Sequence, residues 1–205
     1  MDGKALRGAA GTDGGVPYLL AAATHDKCAM VAERLIGPKP NEVLRFAPLP
    51  RELNDHVPLS GQVVTVDAGH TVRAHATVLR EELGAHYLLT VKDNQPVLFS
   101  QLNALPWAQV PVAHTDPHQI ATAPRGHWSI DNGLHYVRDV TYREDTSRVR
   151  TASRPRIAVT LRNLAIGLIR QAGHTKIAAT IRRIKTDPHL LPTILGLSSD
   201  PQNSP

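Results

Sequence analysis

The sequence has little cysteine, no long apolar run and no common zinc-ligand spacing. Cys28 is the single cysteine among 205 residues, which excludes a disulfide framework and suits a reducing cytoplasm. No apolar run reaches the ~20 residues of a membrane span, and no signal peptide precedes the first motif, so we expect no membrane association. The 11 histidines are scattered without a CxxC or HExxH motif, which disfavours zinc.

The balance of charge is positive. A formal net charge of +5 and a pI near 9.7 indicate a polyanionic partner, of which nucleic acid is the commonest. The chain is long enough to bury one sizeable core. Its apolar content is that of an ordinary folded protein.

The stretch Gln62–Thr71 organises the rest of the chain. Three valines in four residues predict a short buried strand between Gly61 and Gly69. Asp67 follows this strand, where open α/β sheets bind ligands. The alternative is that Asp67 caps the next helix, which begins near Thr71. This stretch alone leaves both interpretations open.

The first half of the chain predicts a mixed α/β sheet with parallel crossovers. Met1–Gly8 reads MDGKALRG, which suits a phosphate or metal site or else a flexible tail. The predicted elements that follow are a hairpin of Val16–Thr24 and Cys28–Ile36, a short helix Arg45–Leu53, a strand Val63–Asp67, a helix Thr71–Leu83, a buried strand His86–Lys92 and a helix Asp93–Leu105.

The second half predicts helices. Pro106–Pro124 holds four prolines and predicts a loop or linker, after which a helix begins near Gly126. A strong helix starts at Pro155 and ends at Gly173. Its apolar stripe consists of Ile157, Leu161, Leu164, Ala165 and Leu168. A shorter basic helix, Lys176–Lys185, follows, and Ser198–Pro205 is expected to be a disordered tail.

Three carboxylates are candidates for a metal site: Asp2, Asp67 and Asp131. Two-metal phosphoryl transfer needs acids from separate elements, because hard Mg²⁺ ions prefer oxygen ligands. On a helix from Gly126, Asp131 would share a polar stripe with His127, His135 and Arg138. The competing interpretation is a solvated helix face with a local His–Asp contact.

Several separated motifs agree in order with one known family. They are MDGKALRG, KPNEV (Lys39–Val43), VVTVDAGHT, HYLLTVKDNQP (His86–Pro96), RGHWSIDNGLHYVRDVTYRED (Arg125–Asp145) and RNLAIGLIRQAG (Arg162–Gly173). Together they resemble the DDE transposases of bacterial insertion sequences, in the branch that includes the H-repeat-associated proteins. The resemblance covers almost the whole chain.

The resemblance implies a fold and a chemistry. The fold would be an RNase H-like mixed sheet flanked by helices, here incomplete, with a helical C-terminal part. The reaction would be cleavage and strand transfer of insertion-sequence DNA with two Mg²⁺ ions, in the cytoplasm and nucleoid of a bacterium, by a possible homodimer. The metal-binding catalytic acids would be Asp2, Asp67 and Asp131, and the DNA contacts would be Lys4, Arg7, Lys92, Arg125, His127 and Arg138.

The sequence departs from the family in three places. Asp131 stands where the family has Glu, and a misplacement of ~1 Å can cost ~10²-fold in rate. The chain begins at DGK, so a first strand that would pair with Val16–Thr24 is expected to be missing. A segment before RGHW is short, which suggests an internal deletion.

These departures define the expected organisation: 1–105 as the first half of the core, 106–124 as a proline-rich linker at the deletion, 125–197 as a helical half with the third acid, and 198–205 as a tail. They also leave alternatives. One is a catalytically inactive remnant that binds DNA without sequence preference, and another is a basic α/β ribonuclease. Glu144 is the substitute candidate for the third acid, and Trp128 is expected to anchor its helix by packing.

Overall fold

Two small β-sheets form the first half of the protein. The computed structural model describes residues 1–10, 15–37, 43–111, 117–149, 151 and 153–197. The first sheet is antiparallel with strand order β1-β2-β3, and the second is a parallel pair, β4-β5. The strands are β1 (Asp2–Ala5), β2 (Tyr18–Ala23), β3 (Met30–Gly37), β4 (Val63–Val66) and β5 (His86–Leu89).

The antiparallel sheet confirms the predicted hairpin and corrects the expectation for the N-terminal residues. Asp2–Ala5 is neither a tail nor a loop, because it pairs with β2 in a register that places Asp2 opposite Ala21. The strand expected to be missing beside Val16–Thr24 is therefore supplied by the DGKA segment itself. Asp2 consequently lies within a sheet rather than on a mobile end.

The parallel pair follows the predicted strand–helix–strand order. Its crossover contains α2 (Arg73–Thr77), which continues into a π-helical segment, Val78–Glu82. The crossover helix ends before Gly84, whose φ of +63° suits glycine. β5 is shorter than predicted and mostly exposed, so the expectation of a buried strand was wrong.

The described residues form two sheets where the sequence predicted one. A single backbone contact joins them: the Met1 nitrogen donates a hydrogen bond of 2.6 Å to the Thr65 carbonyl oxygen. Beyond that contact β1 pairs only with β2, so no ladder forms between β1 and β4. The architecture is nevertheless α/β, with antiparallel and parallel pairing and helices around both sheets.

The remaining helices are α1 (Pro48–Asn54), α3 (Pro96–Asn103), α4 (Pro117–Ser129), α5 (Tyr136–Val140), α6 (Arg154–Gln171), α7 (Ile177–Thr186) and α8 (Leu190–Ile194). A π-helical segment, Ile130–His135, connects α4 to α5. α4 begins earlier than the predicted helix, because proline suits the first turn of a helix and Pro117 stands there. A second proline, Pro124, lies inside α4 and does not end it. Residues 112–116 and the predicted tail 198–205 lie outside the described residues.

Helix α6 shows that its apolar pattern was assigned to the wrong face. Ile157, Leu161 and Leu164 are 53–59% exposed, whereas the buried residues are Val159, Asn163, Ile166 and Ile169. Both sets have helical spacing, so periodicity did not distinguish them. Asn163 is buried because its amide donates a hydrogen bond of 2.6 Å to Glu33.

Two core clusters lie on opposite faces of β2. Leu20 and Ala22 pack into one cluster with Phe46 and α1, whereas Ala21 packs into the other with the C-terminal helices. This alternation follows from the two-residue period of a strand. β2 therefore lies between the two halves of the chain.

Among the described residues, no helix is long and apolar enough to cross a membrane.

Candidate active site

The three predicted acids line one cleft of about 540 Å³. Asp2 is the first residue of β1, Asp67 follows β4, and Asp131 lies in the π-helical segment. They reach the cleft from three elements because the Met1–Thr65 contact places β1 beside β4, and α4 packs near β4. The fold thus brings side chains together that are far apart in the sequence.

Asp2 and Asp131 share a tight cluster with His135. One ligand atom from each residue lies within 4.8 Å of the others. The His135 Nδ1 atom lies 3.3 Å from Oδ2 of Asp2 and 3.5 Å from Oδ1 of Asp131. His135 is buried, whereas Asp131 is exposed. The donor set is therefore two carboxylates and one imidazole at the edge of the protein.

The contacts of His135 change its pKa and that of Asp2. Burial alone would raise the pKa of Asp2, but the hydrogen bond and the charge of His135 outweigh burial and lower it. Burial alone would lower the pKa of His135, but its contacts with Asp131 and Asp2 outweigh burial and raise it. Both shifts favour a carboxylate–imidazolium pair.

Asp67 caps a short helical turn that precedes the predicted helix. Its Oδ1 accepts hydrogen bonds from the backbone N–H groups of Gly69 (2.9 Å) and His70 (3.3 Å). It thereby caps the short 3₁₀ helix Ala68–His70. Asp67 also lines the cleft, although it is not part of the compact cluster around His135.

A hydroxyl and two histidines form the inner wall of the site. The Thr65 hydroxyl lies 2.9 Å from Nε2 of His25 and 3.2 Å from Nδ1 of His127. Burial and the Met1 amino group lower the pKa of His127, while the nearby Asp2, Asp67 and Asp131 act in the opposite direction. His127 is therefore close enough to sense all three acids and favours its neutral form.

Four of the predicted DNA contacts remain accessible, two of them in the cleft. Lys92 and His127 line it, and Lys92 is exposed. Arg125 is exposed on α4. The Arg7 side chain is 75% exposed, with one guanidinium nitrogen 3.9 Å from Asp145. Their role in binding DNA stays a prediction.

Lys4 and Arg138 are not free to meet phosphate in this structure. Lys4 Nζ binds Oδ2 of Asp139 at 2.6 Å, and its side chain is only 11% exposed. Arg138 is fully buried and donates two hydrogen bonds to the carboxylate of Glu144, at 2.9 and 2.5 Å. The π-helical segment rotates the helix after Asp131, so Arg138 does not share the exposed face predicted from α-helical spacing.

The same ion pair corrects the substitute candidate for the third acid. Glu144 is 3% exposed and also accepts a hydrogen bond of 3.3 Å from Arg162. Trp128 differs from expectation as well, because it is 65% exposed at the cleft rather than packed. Ile130 and Leu134 anchor the helix instead, at 4% and 0% exposure.

Sequence reasoning did not identify His135 as a candidate ligand or Thr65 as a site residue. For His135 the signal was present, since it follows Asp131 by one helical turn and the two share a face. For Thr65 the signal was weaker: a single hydroxyl residue within a run of valines. Only the position of β4 beside α4 shows that this hydroxyl faces two histidines.

Comparisons with known proteins identify the family to which the sequence is similar. A family model described as "Transposase DDE domain" matches residues 18–168, a region that contains Asp67 and Asp131 and begins after Asp2. A protein of Escherichia coli O157:H7 named "Putative transposase YncI" is 36% identical over 61 residues, which are 30% of this chain. The match spans only 16% of that relative's length. No solved structure matches the chain. Because the family model covers most of its length, the chain belongs to the DDE-domain transposases.

Proposed function

We propose that this chain supplies the catalytic centre of a DNA transposase, which cleaves DNA strands and joins a 3′-hydroxyl to a new phosphate. The observation that carries the proposal is the meeting of Asp2, Asp67 and Asp131 at one cleft. Membership of the DDE-domain family supports it. The parallel pair β4-β5, with an acid at the end of β4, is compatible with an RNase H-like core.

The residues of the cluster fit a divalent metal ion. Asp2 and Asp131 would offer carboxylate oxygens, as Mg²⁺ prefers, and His135 would offer a nitrogen once it had lost its proton. Asp2 and Asp131 would hold one ion, and Asp67, which also lines the cleft, would complete a second site with Asp2. When bound, such ions supply electrostatic stabilisation of the attacking and leaving oxygens.

The other side chains of the cleft would position the substrate. Lys92 and Arg125 place positive charge at its rim, where phosphate contacts fix the register of DNA without reading its sequence. His127, which favours its neutral form, would orient the Thr65 hydroxyl to which it is hydrogen-bonded. We propose that the substrate is the ends of an insertion sequence and that the protein acts on DNA in the bacterial cytoplasm. We also propose that the active oligomer is a homodimer.

A second proposal is that the chain is an inactive remnant that binds DNA. Two observations favour it. Asp131 replaces the family's Glu, which shortens the third acid by one methylene. The side chain of His135 also lies against both Asp2 and Asp131, where it competes with a metal ion for their oxygens.

Strand cleavage and metal binding together distinguish these proposals. The purified protein would be incubated with Mg²⁺ or Mn²⁺ and labelled duplexes that carry the DNA flanking the coding sequence. A transposase nicks or joins these duplexes, and Asp67→Asn abolishes the products while the surface control Asp55→Asn does not. RNA cleavage without joining would support a ribonuclease, and products unaffected by Asp67→Asn would refute this catalytic site.

The length of the third acid gives a further test. If Asp131 holds a metal ion but its side chain is too short, Asp131→Glu should raise the cleavage rate. The gain should be up to about 10²-fold if the longer side chain corrects a misplacement of ~1 Å in the carboxylate. Mn²⁺ affinity measured by electron paramagnetic resonance should fall at least tenfold in Asp2→Asn and Asp131→Asn. Unchanged affinity in both variants would show that the cluster is not the metal site.

A further inference from the structure

Helix α7 presents a basic surface that ends at Asp187. Four cations are exposed on it or at its start: Lys176, Arg182, Arg183 and Lys185. Residues 171–186 contain no Asp or Glu. Among the described residues, none of the four cations forms an ion pair, whereas Lys4, Arg34, Arg51, Arg138 and Arg162 all do. This surface therefore keeps its full positive charge.

The opposite face of α7 is fixed against the protein. Ile177 and Thr180 are buried, and Ile181 and Ile184 pack against the core cluster of the C-terminal helices. The apolar face is thus occupied, which excludes insertion of this amphipathic helix into a lipid surface. The four cations cannot turn inward and must face solvent or a partner.

A second cleft, of about 430 Å³, lies between the segment that precedes α7 and the helix that carries Asp131. It is lined by Lys27, Arg170, His174 and Thr175, and by Asn132 and Gly133 of the helix that carries Asp131. Thr175 precedes the basic surface directly, and Asn132 follows Asp131. Asp26 also faces this cleft, beside Lys27 in the hairpin turn. Arg170 supports its floor by donating hydrogen bonds to the carbonyls of Cys28 (2.8 Å) and Gly133 (2.5 Å).

We propose that α7 binds the phosphate backbone of duplex DNA and that the second cleft leads one strand from α7 to the acidic site. Lys176 and Lys185 lie roughly 13 Å apart along the helix at ~1.5 Å per residue. Over that length duplex DNA carries several phosphates, at one charge per ~1.7 Å of axis. The choice of DNA rests on the proposed function. The existence of a polyanion surface rests on the charge and burial of α7 alone.

The test compares two triple variants of the full chain. Arg182→Gln/Arg183→Gln/Lys185→Gln removes three charges from α7. As a control, Arg45→Gln/Arg73→Gln/Arg80→Gln removes three exposed charges that form no ion pair among the described residues. Glutamine retains helix propensity. Binding of a fluorescent duplex of about 30 base pairs is measured in EDTA over a range of salt concentrations, so that no cleavage occurs.

The expected result is a fall of about 2–3 in the slope of log affinity against log salt for the α7 variant, with little change for the control. Equal effects in both variants, or no change in the α7 variant, would overturn the proposal. Phenylglyoxal labelling of the unaltered protein provides an independent readout: DNA should protect Arg182 and Arg183 but not Arg73 and Arg80. Protection of neither pair, or of both equally, would overturn it too.

The outcome separates this inference from the proposed function. Salt-dependent binding through α7 in a protein that never cleaves DNA would leave the inference standing and refute transposase activity. Cleavage that survives in the α7 variant with an unchanged salt slope would refute the inference about α7 and leave the proposed transposase activity standing.

Discussion

The Nζ atom of Lys4 lies 2.6 Å from Oδ2 of Asp139, and the same strand and helix are also joined by the contact between Asp2 and His135. Asp2 and Lys4 lie two residues apart on β1 and so share a face of the strand. His135 and Asp139 lie one helical turn apart. The strand and the helix are therefore held by two parallel polar contacts, and the Lys4 pair fixes the position of Asp2 against Asp131.

Breaking the Lys4–Asp139 pair should loosen the site. Lys4→Met leaves Asp139 without its partner in a partly buried position, and we expect a loss of about 1–3 kcal/mol in the free energy of unfolding in urea. Mn²⁺ affinity should fall as well, because Asp2 loses its register. The control is Arg34→Met, whose exposed pair with Glu52 should contribute less than about 1 kcal/mol. Equal losses in both variants would contradict the positioning role.

The buried pair of Arg138 and Glu144 should be essential for stability. Glu144→Gln leaves the Arg138 guanidinium buried without a counter-charge, and we expect a loss of about 3–5 kcal/mol. The double variant Arg138→Leu/Glu144→Leu should recover part of this, since it removes the buried Arg138 charge and leaves only the less buried Arg162 without its partner. Urea unfolding measures both. A double variant less stable than Glu144→Gln would show that the pair itself is the favourable feature.

The contact between Asp2 and His135 should make stability depend on pH in two directions. Because the pKa of His135 is raised, its stabilisation is complete below about pH 6.5 and is lost as pH rises through the folded-state value. Because the pKa of Asp2 is lowered, its stabilisation is present above about pH 4 and is lost as pH falls through the folded-state value.

The difference in unfolding free energy between wild type and His135→Gln should therefore be largest between about pH 4 and 6.5. His56→Gln, at an exposed position, serves as the control and should show no such maximum. A difference that stays constant from pH 4 to 9 would show that His135 contributes by packing alone.

Gly8 should tolerate no side chain. A Cβ atom there would lie 2.5 Å from the carbonyl oxygen of Glu144 and 2.7 Å from that of Ser147, and neither backbone atom can move freely. Gly8→Ala should cost about 1–3 kcal/mol in thermal or urea unfolding. Gly167→Ala is the matched control, because nothing lies within 4 Å of its Cβ position in α6 and alanine favours helix by about 1 kcal/mol. A neutral Gly8→Ala would disprove the close approach of these segments.

Local pattern was sufficient for most of the elements. The β-branched run predicted β4, and Gly84 marked the end of the crossover helix. The proline–glycine boundaries predicted α6. These signals are local because strand pleat, helix start and helix stop depend on a few neighbouring residues. The three candidate acids were also proposed from the sequence, and the resemblance to a family then gave each of them an expected role.

The orientation of side chains was decided by tertiary structure. The apolar stripe of α6 could face either way, and only the burial of Val159, Ile166 and Ile169 shows which face packs against the protein. The polar stripe from His127 to Arg138 assumed α-helical spacing, and a π-helical segment changed it. As a result Arg138 pairs with Glu144 inside the protein, a contact that neither residue type predicts alone.

The sequence by itself determined the candidates for a site: three acids, a basic C-terminal helix and the strand that ends at Asp67. The tertiary structure alone decided which of them meet. Asp2 reaches Asp131 through His135, and Lys4 is held by Asp139, because β1 lies between β2 and a helix from the distant second half of the chain. The physical reason is that contacts across so many residues depend on how both faces of β2 are buried, which no local pattern encodes.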